Sequence, residues 1–202
     1  MRLPIYQVDA FTDSLFGGNP AAVCPLEAWL PEKTMQAIAA ENNLAETAFF
    51  VREGPDYALR WFTPTVEVDL CGHATLAAGQ IVFRFIEPER DSVSFRTMNA
   101  GTLTVRRSGE MLALDLPARP AVPVDPPTGL VAALGGAPRE VLRARDHLVV
   151  YGSAAEVAAH RLRCSRIVKC APATFRPQDR SAIPSVSTSA WRLRPLTFFP
   201  AS

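Results

Sequence analysis

Cysteine is scarce and unpatterned in this 202-residue chain. Cys24, Cys71, Cys164 and Cys170 form neither a disulfide framework nor a CxxC metal spacing. That argues against a small disulfide-stapled domain and for a reducing, cytoplasmic setting. No apolar run approaches the roughly 20 residues needed to span a membrane. The opening MRLPIYQVDAF alternates too early to be a signal peptide. An excess of charge of one sign is missing too. The net charge is +1, so bulk affinity for nucleic acid is not expected. Residues 1–160 show no metal-ligand cluster and no Walker-type loop, since GGNPAA lacks the lysine and the spacing of a phosphate loop.

What is present is an ordinary globular composition, 48% hydrophobic and 20% charged. The balanced charge averages two unlike regions. Residues 1–160 carry 13 Lys and Arg against 19 Asp and Glu, a net of −6; residues 161–202 carry 8 against one, Asp179, a net of +7. The second region also loses periodicity and scatters Pro, Ser and Arg. It reads as a divergent basic tail, poorly ordered, whether as a real extension, a truncation or a change of frame.

Residues 1–117 are well patterned. LPIYQVDAF and AAVCPL read as strands around the turn FGGNP, where glycine supplies positive φ. PEKTMQAIAAENN places Met35, Ile38 and Ala39 at helical spacing behind Pro31, with Asn42–Asn43 as its stop. ETAFFVRE and YALRWFTP are β-prone. GHATLAAGQIVFRFI is a helix too apolar to lie exposed. SVSFRTM, GTLTVRR and EMLALDLP are three further strands, with NAG and RSG as turns. The pattern predicts an α+β lobe, a mixed and mostly antiparallel sheet around one central helix. PARPAVPVDPP (117–127) reads as a crossing to a second domain over 118–160, containing the helix TGLVAALGG, the strand HLVVYG and the helix start SAAEVAAH. Left incomplete, that second domain is expected to expose the apolar faces of GLVAAL and HLVVY.

The densest chemistry lies in DLCGHATLA (69–77), where Asp69, Cys71 and His73 surround Gly72 at the start of the buried helix. Peptide N–H groups of Gly72, His73 and Ala74 are expected to point out of that helix end, which suits a carboxylate or an enolate. Gly72 has no Cβ, which opens the backbone to a ligand. Cys71 and His73 can hold or shuttle a proton. A structural reading stands beside this one, with Asp69 as a cap and Cys71 as a small buried hydrophobe. In ENNLAETAFF (41–50), Glu46 sits among Leu44, Ala45, Ala48, Phe49 and Phe50. Apolar surroundings disfavour its charged form, so its pKa is expected to rise toward neutrality, as a general acid/base requires. Taken alone, Glu46 reads better as the polar side of an alternating strand.

Three stretches together, GNPAAV (18–23), ENNLAETAFF (41–50) and RWFTPTVEVDLCGHATLA (60–77), resemble the PhzF-like phenazine-biosynthesis isomerase family within the diaminopimelate epimerase fold. The resemblance covers residues 1–117 and, more loosely, the chain to about 160. It implies two similar lobes, each a sheet around a central helix, with the site in the cleft between them. It also implies cofactor-free proton transfer beside a carboxylate, on a small carboxylate-bearing metabolite. From charge, hydropathy and ligand spacing, no metal, nucleic acid or membrane partner is expected, and homodimer formation is a further expectation. By the same resemblance, Glu46 is the acid/base glutamate and His73 the cleft histidine. Gly72 and His73 give N–H groups to the substrate carboxylate, and Asn19 lines the cleft. Cys71 stands where related epimerases carry one of two thiols.

The family's second lobe usually repeats such a motif as T-G-S-A-H. This chain has none, and DPPTG (125–129) continues as LVA. Three functions therefore stand as expectations: an isomerase or epimerase; a catalytically impaired remnant or small-acid-binding protein; and, more weakly, a disordered basic arm for an acidic partner or nucleic acid. The tail is expected not to build a second half-site.

Overall fold

Alternating apolar residues in neighbouring segments dictate a sheet whose buried face needs a cover, and the apolar helix at 72–81 supplies it. The computed structural model describes residues 2–14, 16–134, 137–159, 175–179 and 189–192. The chain divides into two units: residues 1–117 with 188–202, and residues 118–187.

In the first unit the described residues form a nine-stranded mixed sheet. Its strands are β1 (Tyr6–Ala10), β2 (Asn19–Leu26), β3 (Glu46–Glu53), β4 (Asp56–Phe62), β5 (Glu67–Val68), β6 (Ser92–Arg96), β7 (Thr102–Ser108), β8 (Met111–Asp115) and β13 (Ser189–Arg192). The order is β1-β2-β3-β4-β6-β7-β8-β13, with β5 paired to β4. β2–β3 and β4–β6 are parallel, and the other pairs are antiparallel. Each parallel step needs a crossover. Helix α1 (Glu32–Asn42) supplies the first. Helix α2 (Gly72–Ile81) and a π-helical turn over Val82–Ile86 supply the second.

Helix α2 touches β1, β2, β3, β7 and β8, so the sheet curls about it. His73, Ala74, Thr75, Leu76, Ala77, Ala78, Gly79 and Ile81 are all buried. A helix apolar on every side has no solvent face to spare, which is what its sequence predicts. Small residues let the sheet approach closely. A Cβ added at Gly79 would stand 2.7 Å from Val105 Cγ1 on β7. Trp61, Phe50, Phe83, Phe95 and Leu103 complete this core. Helix α1 lies on a second, smaller core of Cys24, Met35, Ala39, Phe49 and Phe62. Burial pushes the Cys24 thiol up to about 12, because a thiolate there would lie in apolar surroundings.

The local signals act as read. Asn43 ends α1 in the left-handed region (φ 50°), its N–H donating to Ala39 O at 3.2 Å. Gly18 has φ 69°, and a Cβ there would meet Ala10 O at 2.2 Å, so the turn into β2 requires glycine.

The second unit is a four-stranded sheet among the described residues, ordered β12-β11-β10-β9. These strands are β9 (Val122–Pro123), β10 (Glu140–Arg143), β11 (His147–Tyr151) and β12 (Phe175–Asp179), with helices α3 (Leu130–Leu134) and α4 (Ala154–Ala159). The expected exposure of GLVAAL and HLVVY is corrected here. Leu130, Leu134, Val149 and Tyr151 are buried together with Val141 of β10. That strand, which the sequence reading missed, provides the counter-face. Within 161–202 the described segments are strand β12, paired to β11, and strand β13, paired to β8; the rest of the expected poorly ordered tail, and most of the expectation about a second half-site, lie outside the described residues. No helix among the described residues is long and apolar enough to cross a membrane.

Candidate active site

Helix α2 starts abruptly. Cys71 precedes it in an extended conformation (φ −141°, ψ 111°) and gives no side-chain cap. The first N–H groups of a helix have no intrahelical acceptor. Here the backbone ladder begins with Thr75 N–H donating to Cys71 O at 3.2 Å, and Thr75 Oγ1 donates to the same oxygen at 2.5 Å. The helix end therefore carries the partial positive charge expected of it.

Glu46 arrives from a different element. It is the first residue of β3, immediately after the α1 stop, and pairs in parallel register with Ala21 of β2. Its Oε2 lies 3.2 Å from His73 Nε2. The two side chains are 21% and 8% exposed, so the carboxylate reaches solvent while the imidazole is enclosed. The approach brings the carboxylate against the edge of the imidazole ring. On the other side of the ring, His73 Nδ1 lies 3.4 Å from Cys71 Sγ. Donor atoms of Glu46, Cys71 and His73 all fall within 4.8 Å of one another. Carboxylate, imidazole and thiol thus form one proton-handling line at the positive end of a buried helix.

Asp69 is half-buried ahead of the helix and stands outside this three-residue group. Asn19 is half-buried at the first position of β2, opposite Ala10. At Gly72 an added Cβ would lie 3.5 Å from a Leu116 methyl and 3.9 Å from a Leu114 methyl, ordinary contact distances, so the room beside its Cα is bordered by two leucines. Phe11 joins the site without any warning in the sequence. Its ring centroid is 6.4 Å from that of His73, and its backbone takes φ 65°, a left-handed conformation unusual for a bulky residue. No spacing or motif marks it; only the fold carries the end of β1 to the start of α2.

A profile of the family described as "Phenazine biosynthesis-like protein" matches residues 8–127. The chain belongs to the phenazine biosynthesis-like family. An uncharacterized isomerase of Pseudomonas aeruginosa is 54% identical to it, over 79% of this chain and 61% of that protein. The crystal structure of a PhzF-family phenazine biosynthesis protein from Enterococcus faecalis superposes with a TM-score of 0.71 at 45% identity, covering 82% of this chain and 64% of that one. A predicted epimerase of Pseudomonas aeruginosa, 19% identical, shares the fold with a TM-score of 0.66 over 89% of this chain and 70% of that one. The phenazine biosynthesis-like chain described here therefore has the epimerase-like α+β fold. It spans about three-fifths of the length of the first two of these relatives.

Proposed function

We propose that the protein is a cofactor-independent isomerase or epimerase that moves a proton on a small carboxylate-bearing metabolite. The observation carrying this reading is the 3.2 Å approach of Glu46 Oε2 to His73 Nε2 at the uncapped start of α2. Glu46 takes a proton from a carbon next to the substrate carboxylate. The electron pair left behind spreads into that carboxylate as an enolate, and first-turn N–H groups stabilise the growing negative charge. Glu46, now a carboxylic acid, returns the proton on the same face to another carbon conjugated with the first; epimerisation would need a second proton donor on the opposite face. His73 steadies the carboxylate through these changes. A thiol hydrogen given by Cys71 to Nδ1 would leave the ring hydrogen on Nε2, facing Glu46. The names of relatives, isomerase among them, support the same reaction class.

The test is proton exchange itself. A panel of small hydroxy, keto and amino acids in D₂O is followed by NMR with the wild-type chain and with Glu46→Gln. Deuterium incorporation into one acid that Glu46→Gln abolishes supports the assignment. Equal exchange by both proteins removes Glu46 from the reaction. Binding without exchange in the wild type favours the small-acid-binding alternative, which rests on the missing T-G-S-A-H sequence.

A further inference from the structure

We propose that Glu46, Cys71 and His73 form a site for a divalent transition-metal ion of the zinc type, occupied in competition with the carboxylate substrate. Carboxylate oxygen, thiolate sulfur and imidazole nitrogen are the three donor types that Zn²⁺ prefers. One atom of each lies within 4.8 Å of the other two. Donors sharing a tetrahedral ion stand roughly 3.3–3.7 Å apart, given bonds of about 2.0–2.3 Å. Closing the group by about 1 Å is within the reach of χ rotation in Glu46 and Cys71, while the backbone of β3 and α2 stays fixed.

The electrostatics and the access are compatible with an ion. Binding converts the Cys71 thiol to a thiolate and releases its proton to solvent, and the ionised Glu46 supplies a second negative charge. The ion then carries no net charge excess against the positive helix end. Glu46, 21% exposed, provides the entry path, and water fills the fourth position. His73 offers one of its two ring nitrogens; Nδ1 lies 3.4 Å from Cys71 Sγ and Nε2 3.2 Å from Glu46 Oε2. An ion held there occupies the electron pair that the proposed reaction needs from Glu46. The inhibition rests on the proton-transfer reading; the binding does not.

Cobalt(II) tests the binding directly, because a thiolate on Co²⁺ gives a charge-transfer absorption that oxygen and nitrogen ligands do not. The titration uses the 202-residue chain carrying Cys164→Ser and Cys170→Ser, which removes the thiols of the basic stretch. Cys24, fully buried in the smaller core, does not compete. The expected result is a one-equivalent thiolate–cobalt band, displaced by Zn²⁺, absent in Cys71→Ser and weakened about tenfold or more in Glu46→Gln and His73→Gln. X-ray absorption at the zinc edge of the otherwise unchanged Zn²⁺-loaded protein adds a reading that needs no site variant, one sulfur with oxygen and nitrogen neighbours. No thiolate band at one equivalent, a band that survives Cys71→Ser, unaltered affinity in both other variants, or a sulfur-free zinc shell each overturns the proposal. None of these measurements uses a substrate, so a failure of the exchange experiment leaves them untouched.

Discussion

Glu46 and His73 belong to different elements and meet with 3.2 Å between Oε2 and Nε2. The contact depends on two things the chain sets separately, the parallel register of β3 on β2 and the depth at which α2 starts. Replacing His73 with glutamine is expected to leave the fold intact and to slow deuterium exchange by about 10²–10⁴-fold, the usual contribution of a positioned acid/base partner. NMR exchange rates with a responsive acid check this. A rate within twofold of wild type would remove His73 from the reaction.

Gly79 should resist even the smallest substitution. Alanine is the better helix former by up to about 1 kcal/mol. Yet its Cβ would stand 2.7 and 2.9 Å from Val105 atoms in the core. Overpacking of this kind costs about 1–3 kcal/mol, so Gly79→Ala is expected to lower stability in urea titration. Val105→Ala in the same chain should recover part of the loss.

Gly72 is expected to behave in the opposite way. An added Cβ meets Leu116 at 3.5 Å, an ordinary contact. Gly72→Ala should therefore fold with wild-type stability within about 0.5 kcal/mol and keep carboxylate binding, measured by calorimetry. A loss of binding in a stable Gly72→Ala protein would mean that a ligand passes over this Cα.

The buried Cys24 predicts a stability that falls in alkali. Its folded-state value is about 12, against 9.0 for the ordinary thiol. A raised value means the neutral form favours the folded state. The contribution is complete below pH 9 and is lost as pH climbs toward 12. The slope approaches about 1.4 kcal/mol per pH unit in that window. Urea titrations from pH 8 to 11 should show a steeper fall for the wild type than for Cys24→Ala. Equal slopes would mean the thiol ionises as easily folded as unfolded.

Much of the first unit was legible in the sequence. The helix at 72–81 is apolar all round, and a segment with no polar stripe can only be central. Glu46 among aromatic and small residues read alone as the polar side of a strand, and only the resemblance of its stretch to a known family singled it out. The parallel pairing of β2 with β3 was not legible, because alternation tells which side of a strand is buried and says nothing about its partner. The two-residue β5 offers no period to detect. Phe11 reaches His73 through the course of the chain after β1, a tertiary fact without a local pattern. The direction of the Gly72 Cα–H bonds depends on how α2 is rotated against Leu114 and Leu116, and composition carries no trace of it. The grouping of Glu46, Cys71 and His73 has no sequence signature for a related reason: strand β3 brings Glu46 to the other two from a distant part of the chain.

The π turn closing helix α2 carries a bond from Glu87 N–H to Val82 O, one residue longer than an α-helical step. That extra residue resets the phase of everything after it by about 100°. Phe83, at the start of the turn, is buried, and Glu87, just after it, pairs with Arg52 and Arg90. A deletion of one residue within 82–86 would regularise the helix and still be harmful. It would swing Glu87 off both arginines and start the run into β6 on the wrong face. In an indel scan this short, partly exposed segment should thus be among the least tolerant in the first unit, while substitutions at the part-exposed Ile86 should cost little.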